Sequence, residues 1–299
     1  MANPRSLGAL VTDPDARHPL AAPEATAPAK APATARRGRR GKGARRPRGW
    51  VLPLSAVAGV LALLQLLTAS GLLGRHFPTV VAVAQSLAEQ IGTQVFWDRV
   101  VETLTAWAAG FLIAAVLAVP AGLVIAANRL VFRSTRLLID FLRPIPPVAV
   151  LPLAVLLMGT GTEMKIYLVA FSAVFPILFQ TMYGVQDVDP VTRDTTRAYG
   201  LSNWQQYRHV VLPSATPYIA TGLRLAATIA LVVTVATELI VGSSGLGYGI
   251  NQVRYADDVP AMYALIFVTG LIGWLITIGF SALEKRVLHW HHSHRETNL

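Results

Sequence analysis

The chain has 299 residues, of which 53% are hydrophobic and only 14% are charged, and its mean hydropathy is +0.49. A typical soluble domain carries about a quarter charged residues, so this composition is typical of a membrane protein. The absence of cysteine excludes disulfides, thiolate metal sites and thiol catalysis.

The first 48 residues differ from the rest of the chain. Residues 1–35 are rich in Ala and Pro, which predicts a disordered segment. Residues 36–48 contain eight Arg and Lys, which supply most of the net charge of +10. Because this run ends against an apolar segment, it favours an anchor on anionic lipid over nucleic-acid binding. The uncharged run 49–74 is too long for a usual signal-peptide core.

Six apolar segments bounded by charges predict six transmembrane helices in a transmembrane domain over residues 49–286. One segment, between Arg143 and Glu163, contains Pro144, Pro146, Pro147 and Pro152, which predict a broken helix. One side carries more Arg and Lys, and this bias places both termini in the cytoplasm. The predicted cytoplasmic connections contain Arg129, Arg133, Arg136, Arg143, Arg193, Arg197 and Arg208, and the predicted external connections contain Arg75, Arg99, Lys165 and Arg254. We therefore predict an all-α polytopic protein of the cell (inner) membrane, with residues 287–299 as a cytoplasmic tail.

A polar and aromatic insert, residues 184–213, lies between two of these spans on the cytoplasmic side. Asp189 and Pro190 predict the start of one short helix, and Gly200 predicts a turn into a second. Trp204 and Tyr207 are three residues apart and so share a helix face. That face is suited to docking into a groove of a partner protein or to lying on lipid headgroups, and the residue pattern leaves both open.

The insert resembles the cytoplasmic loop of binding-protein-dependent ABC importer permeases, with its Glu-Ala-Ala, Gly and Leu-Pro spacing. The resemblance extends to "LRPIPPVAVLPLAVLLMGTG" and "TELIVGSSGLGYGI", and it is strongest to permeases for aliphatic sulfonates, taurine and nitrate. It implies a type I importer fold in which the insert forms coupling helices. The residues that match the family pattern are Asp194, Thr195, Thr196, Gly200, Val210, Leu212 and Pro213. Together with Trp204 and Tyr207 of the shared helix face, they are the candidate coupling residues. Asp-Thr-Thr replaces Glu-Ala-Ala, which is a departure from the family pattern.

The resemblance also implies partners. These are two cytoplasmic ATPase subunits, an extracytoplasmic solute-binding protein and a second permease chain, within the lipid bilayer. The chain contains no phosphate-binding loop of the G-x-x-x-x-G-K-[ST] type, so ATP and Mg²⁺ are expected on the separate ATPase, and this chain is expected to be neither an enzyme nor a holder of cofactors or metals.

Glu238 is an ionisable residue inside a predicted span, and such residues are candidates for function or for a buried pair. The glycine-rich run after it predicts non-helical backbone, which by resemblance is a gate on the external side. Candidates for the translocation pathway or gate are Arg143, Pro144, Pro146, Pro147, Glu238, Gly245 and Gly247. Arg224 is a further possible anion contact, although Arg at a helix end commonly reaches back to the interface.

Two other classes of function fit parts of the sequence. A membrane scaffold or receptor subunit would use the insert to recruit a protein without transport, but it has no need of a proline-broken span. A rhomboid-like protease is suggested by "GSSG" at residues 242–245, yet no histidine lies on the later span to activate Ser244. His289, His291, His292 and His294 lie in the tail and suggest a solvated segment rather than a metal site.

Overall fold

A computed structural model describes residues 51–74, 76–242 and 244–288. The predictions for residues 1–48 and for the histidines of the tail lie outside these residues. The helices in chain order are α1 (Val51–Ala69), α2 (Val80–Ile91), α3 (Gln94–Ala127), α4 (Arg129–Leu142), α5 (Pro147–Met158), α6 (Thr162–Gln186), α7 (Pro190–Ala198), α8 (Asn203–Gln206), a π-helical turn (Tyr207–Val211), α9 (Leu212–Val241), α10 (Leu246–Tyr255) and α11 (Val259–Val287).

Four helical stretches in the described part are long and apolar enough to cross a membrane, namely α3, α6, the stretch from α8 through α9, and α11. A fifth span results if α4 and α5, which meet at a bend of 88°, are taken together. Helix α1 has 19 residues, most of them apolar, and contains no charged residue. Its role as the sixth span stays a prediction.

The core forms where α3, α6 and α9 pack closely through small residues. A Cβ on Gly110 would lie 2.6 Å from Val169, and one on Gly122 would lie 2.8 Å from Thr181, so α3 and α6 run in the same direction. A Cβ on Gly184 would lie 2.9 Å from Ala215, and one on Gly222 would lie 2.8 Å from Gln180, so α9 runs antiparallel to α6. Small residues let helix backbones approach closely within a membrane.

The proline-rich segment differs from its prediction. The helix after Arg143 has only 12 residues, about 18 Å at 1.5 Å per residue, so it is too short to cross alone. The chain bends where Pro144, Pro146 and Pro147 remove backbone donors. Pro152, in contrast, lies inside α5 and does not break it. Residues 129–142, predicted as a cytoplasmic connection, form the separate helix α4.

Two other helix boundaries also differ from prediction. The second helix of the insert does not end at Pro213. Instead, Asn203–Val241 form one helical stretch of 39 residues. A π-helical turn directly before Pro213 changes the backbone pairing where a proline N–H is missing. The run after Glu238 is non-helical only around Gly242 to Gly245, and the helix resumes at Leu246 although Gly247 and Gly249 follow.

Candidate functional site

The first helix of the insert begins where the sequence predicts. The Asp189 carboxylate accepts hydrogen bonds from the Val191 amide at 3.0 Å and the Thr192 hydroxyl at 3.2 Å. Pro190 occupies the first helical position, where no backbone donor is needed. The Tyr218 hydroxyl donates to Asp187 at 2.5 Å, which ties the start of the insert to α9.

The turn between the two insert helices requires a left-handed residue, and Gly200 supplies it with a φ of +72°. The Gly200 amide donates to the Arg197 carbonyl at 2.9 Å, and the Leu201 amide donates to the Thr196 carbonyl at 3.1 Å. These two bonds form a Schellman motif, which closes α7 by pairing carbonyls that its last turn leaves free.

The second helix starts with a capping box. The Ser202 hydroxyl accepts from the Gln205 amide at 3.3 Å, and the Gln205 side chain accepts from the Ser202 amide at 2.9 Å. These reciprocal bonds satisfy two backbone donors that the helix start would otherwise leave free. The start of the segment leading into α9 is therefore defined by its own side chains.

The predicted coupling residues lie together on the insert and differ in exposure. Trp204 and Tyr207 stack with their ring centroids 6.1 Å apart, and Trp204 is 67% exposed. Both rings line a cavity of about 770 Å³ between the insert and the end of α3. The exposed members of the set are Asp194, Thr195, Gly200, Trp204, Leu212 and Pro213, and the half-buried members are Thr196, Tyr207 and Val210.

At the other end of α9, Glu238 is fully buried and paired. The Lys165 Nζ lies 3.3 Å from Glu238 Oε1, and neither side chain is more than 1% exposed. The Thr103 hydroxyl lies 2.9 Å from Glu238 Oε2, and the Gly247 amide donates to the same oxygen at 3.0 Å. Glu238 lies in the last turn of α9 and Lys165 in the first turn of α6, so the pair joins two neighbouring helix ends.

The loop before α10 is part of the same network. Lys165 Nζ also donates to the Ser244 hydroxyl at 3.0 Å and lies 3.3 Å from the Ser244 carbonyl. The Thr103 hydroxyl accepts from the Leu246 amide at 2.9 Å. Side chains of α3, α6 and α9 therefore hold the start of α10 through hydrogen bonds.

Gly245 and Gly247, two of the gate candidates, allow α10 to approach Glu238. A Cβ on Gly245 would lie 2.0 Å from Glu238 Oε1, and its φ of +98° disfavours other residues. A Cβ on Gly247 would lie 2.5 Å from the Val235 carbonyl oxygen. The structure thus places three of the predicted gate residues, Glu238, Gly245 and Gly247, in direct contact.

The remaining gate candidates lie elsewhere. Arg143 is exposed at the bend between α4 and α5, where its guanidinium lies 4.7 Å from the centroid of the Phe179 ring. Pro144, Pro146 and Pro147 form the bend itself. Arg224 donates to the Glu284 carboxylate at 2.9 Å, so it is paired with α11 instead of reaching freely to the interface.

Sequence reasoning missed the roles of Thr103 and Lys165. Lys165 was counted as an external connection residue because it bounds an apolar run, whereas it is buried within α6. The presence of Glu238 could have indicated the role of Lys165, because a buried acid in a membrane protein usually has a basic partner. Nothing in the sequence indicates the role of Thr103, because a threonine on a membrane helix ordinarily hydrogen-bonds to its own backbone.

The contacts of Ser244 argue against a protease site. Its partner in the described part is the Lys165 ammonium group, which is ion-paired with Glu238 and so is not a free base. The described residues also contain no cluster of three or more His, Asp or Glu that could hold a metal ion.

Both the sequence and the fold are similar to those of known proteins. Residues 118–289 match the family described as binding-protein-dependent transport system inner membrane component. A putative aliphatic sulfonates transport permease protein of Bacillus subtilis is 30% identical over 85% of this chain and 93% of its own. The taurine transport system permease protein of Escherichia coli is 30% identical over 72% of this chain and 80% of its own.

The fold resembles an inward-facing structure of the MetNI methionine ABC transporter, with a TM-score of 0.55 at 20% identity, over 62% of this chain and 93% of that one.

Proposed function

Since the chain belongs to the family of binding-protein-dependent transport system inner membrane components, we propose that it acts as a homodimer with two ATPase subunits. As a family member, it is the membrane-embedded permease component of an ABC importer. An extracytoplasmic binding protein delivers the solute, and both termini face the cytoplasm. ATP and Mg²⁺ bind to the ATPase, so this chain carries out no chemistry of its own.

The observation that carries the proposal is the insert that leads directly into α9. Trp204 is 67% exposed, although large aromatic side chains usually bury most of their surface. It stacks on Tyr207 beside a cavity, which is the arrangement expected of an anchor that enters a partner's groove. We assign this surface to the ATPase, and the exposed Asp194, Thr195, Leu212 and Pro213 to its rim.

The solute is proposed to be a small sulfonate-like anion. The relatives from Bacillus subtilis and Escherichia coli are named for aliphatic sulfonates and taurine, which share a sulfonate group. In this chain Glu238 is paired with Lys165, so the buried carboxylate presents no free negative charge to an anion. We assign the Glu238 network, with Gly245 and Gly247, to the external gate, and the bend at Arg143 to the pathway.

Co-purification with candidate ABC ATPase subunits from the same organism tests the assignment of the insert. The variant Trp204→Ala/Tyr207→Ala should lose the ATPase. The matched control Trp274→Ala/Tyr255→Ala, which removes two exposed aromatic side chains elsewhere, should retain it. Retention of the ATPase by the first variant would contradict the docking assignment.

Uptake by proteoliposomes tests the solute. With the cognate binding protein present, taurine and an aliphatic sulfonate should each stimulate ATP hydrolysis and enter, whereas an amino acid such as methionine should not. Entry of nitrate without entry of either sulfonate would reject the sulfonate assignment. Nothing in the structure favours a scaffold without transport, and ATP-dependent entry of any solute would exclude one.

A further inference from the structure

Helix α4 carries two kinds of exposed face. Its basic face holds Arg129, Arg133 and Arg136, which recur at helical spacing and are all exposed. The neighbouring face is apolar and also exposed, with Leu130 at 74%, Leu137 at 81% and Phe141 at 71%. A strongly amphipathic, Arg-rich helix of this kind is typical of the interface between headgroups and acyl chains.

The orientation of α4 agrees with this location. It meets α5 at 88°, and α5 contacts the membrane-spanning helices α6 and α9. Helices α4 and α5 therefore cannot both lie along the membrane normal. Because α4 directly follows the end of α3, it lies at the same side as the insert.

A cavity of about 850 Å³ separates the basic face of α4 from α7. Arg129, Arg133 and Arg136 line it from α4, and Arg193 and Arg197 line it from α7. Two of these arginines are paired with exposed carboxylates, Arg136 with Asp140 at 3.5 Å and Arg197 with Asp194 at 3.2 Å. Neither Arg129 nor Arg133 has an ion-pair partner in the described part of the chain. The cluster therefore carries an excess of positive charge.

Arg193 adds an unsatisfied donor. Its Nη2 donates to the Val185 carbonyl at 2.5 Å, but its Nε is buried without a hydrogen-bond partner in the described residues. Buried polar groups in folded proteins are nearly always hydrogen-bonded. Arg193 also lines the cavity, and a rotation of its side chain would bring this donor to an anion bound there.

We propose that this cavity binds the phosphate of an anionic phospholipid from the cytoplasmic leaflet. Guanidinium groups bind phosphate through paired, charge-assisted hydrogen bonds. The exposed Leu137 and Phe141 would contact the acyl chains, which a free phosphate or an acidic protein would leave uncovered. This lipid would hold α4, and through Arg193 and Arg197 it would also contact the insert.

The test uses the full-length chain in a neutral detergent and counts bound lipids by native mass spectrometry. Phosphatidylglycerol is titrated against phosphatidylcholine for the wild type and for Arg129→Gln/Arg133→Gln. We expect the first phosphatidylglycerol to bind about tenfold more weakly to the variant, with phosphatidylcholine unchanged. The control Arg208→Gln/Arg254→Gln removes the same charge from exposed positions outside the cavity and should match the wild type. The basic run of residues 36–48 is present in every variant.

Two further arms complete the test. Arg129→Lys/Arg133→Lys keeps the charges but loses the paired guanidinium hydrogen bonds, so its affinity should lie between those of the wild type and the Gln variant, which separates loss of the site from loss of folding. Inorganic phosphate should not displace the lipid. Equal lipid binding by the wild type and the Gln variant would overturn the proposal, and so would displacement by phosphate, which would identify the site as one for free phosphate.

Discussion

The Lys165 ammonium group lies 3.3 Å from a Glu238 carboxylate oxygen, with both side chains completely enclosed by α3, α6, α9 and α10. Such a pair is costly to desolvate and costly to break, because removing one partner leaves an uncompensated charge. The Lys165–Glu238 pair therefore stabilises the protein only while these four helices stay packed together at this point. The network connects the predicted gate to the core of the protein.

We predict that Lys165→Met and Glu238→Gln are each strongly destabilising, with Lys165→Met costing about 3–5 kcal/mol. The double variant should cost less than the two single variants combined, because it leaves neither charge unpaired. Thermal unfolding in detergent measures this coupling. The half-buried pair Arg224 and Glu284, treated in the same way, should give a coupling of about 1 kcal/mol or less. Additive costs at Lys165 and Glu238 would contradict the pairing.

Alanine at Gly245 or Gly247 should impair the gate. At Gly245 the added Cβ would lie 2.0 Å from Glu238 Oε1, so the carboxylate must leave its partners or α10 must shift. At Gly247 it would lie 2.5 Å from the Val235 carbonyl oxygen, so α10 must move away from α9. Uptake should be lost and unfolding should occur at a lower temperature. Gly270→Ala and Gly279→Ala are matched controls, since nothing lies within 4 Å of either Cβ. Normal uptake by Gly245→Ala would rule out close contact between α10 and Glu238 in the working protein.

Replacing Gly200 by valine should abolish uptake while leaving membrane insertion intact. Open space surrounds the position, so the cost comes from the backbone φ of +72° rather than from a clash. A β-branched residue there costs about 1–2 kcal/mol and would shift the turn between the insert helices. Gly200→Asn should retain most of the uptake, because Asn tolerates this conformation. Equal uptake by the Val and Asn variants would argue against the coupling role of the turn.

Ser202→Ala should loosen the start of the second insert helix. Losing the capping bond costs about 1 kcal/mol, and the effect should be local because the site is exposed. Hydrogen exchange of the Gln205 amide is the direct measurement, and it should accelerate in the Ala variant. Ser202→Thr keeps the hydroxyl and should exchange like the wild type. Unchanged exchange in Ser202→Ala would mean that the capping box does not form.

The sequence predicted features that depend on a few neighbouring residues. Asp189 with Pro190 marked the start of α7, and Gly200 marked the turn, because capping and left-handed backbone are local requirements. The pairing of Lys165 with Glu238 was not predictable in this way, since 73 residues separate them and helix packing alone brings them together. The family resemblance identified the fold and the transport role, which periodicity and charge alone left open.

Errors in prediction arose where tertiary contacts override local preference. Gly247 and Gly249 disfavour a helix, yet α10 forms there, and at Gly247 a Cβ would lie 2.7 Å from the Glu238 Cβ, so glycine allows the close packing against α9. Pro213 was expected to end the second insert helix, but the π-helical turn before it lets the backbone continue. Helix α4 was read as a connection because its arginines were counted without its apolar face.

The helical stretch Asn203–Val241 connects the insert directly to the Glu238 network. Its 39 residues correspond to about 58 Å of helix. If it moved as one body, a tilt of about 5° at Trp204 would displace the end near Glu238 by about 5 Å. The π-helical turn and Pro217 lie in its first half, and bending there would reduce this displacement. The fraction of the cytoplasmic movement that reaches α10 therefore depends on how stiff the helix is at these two points.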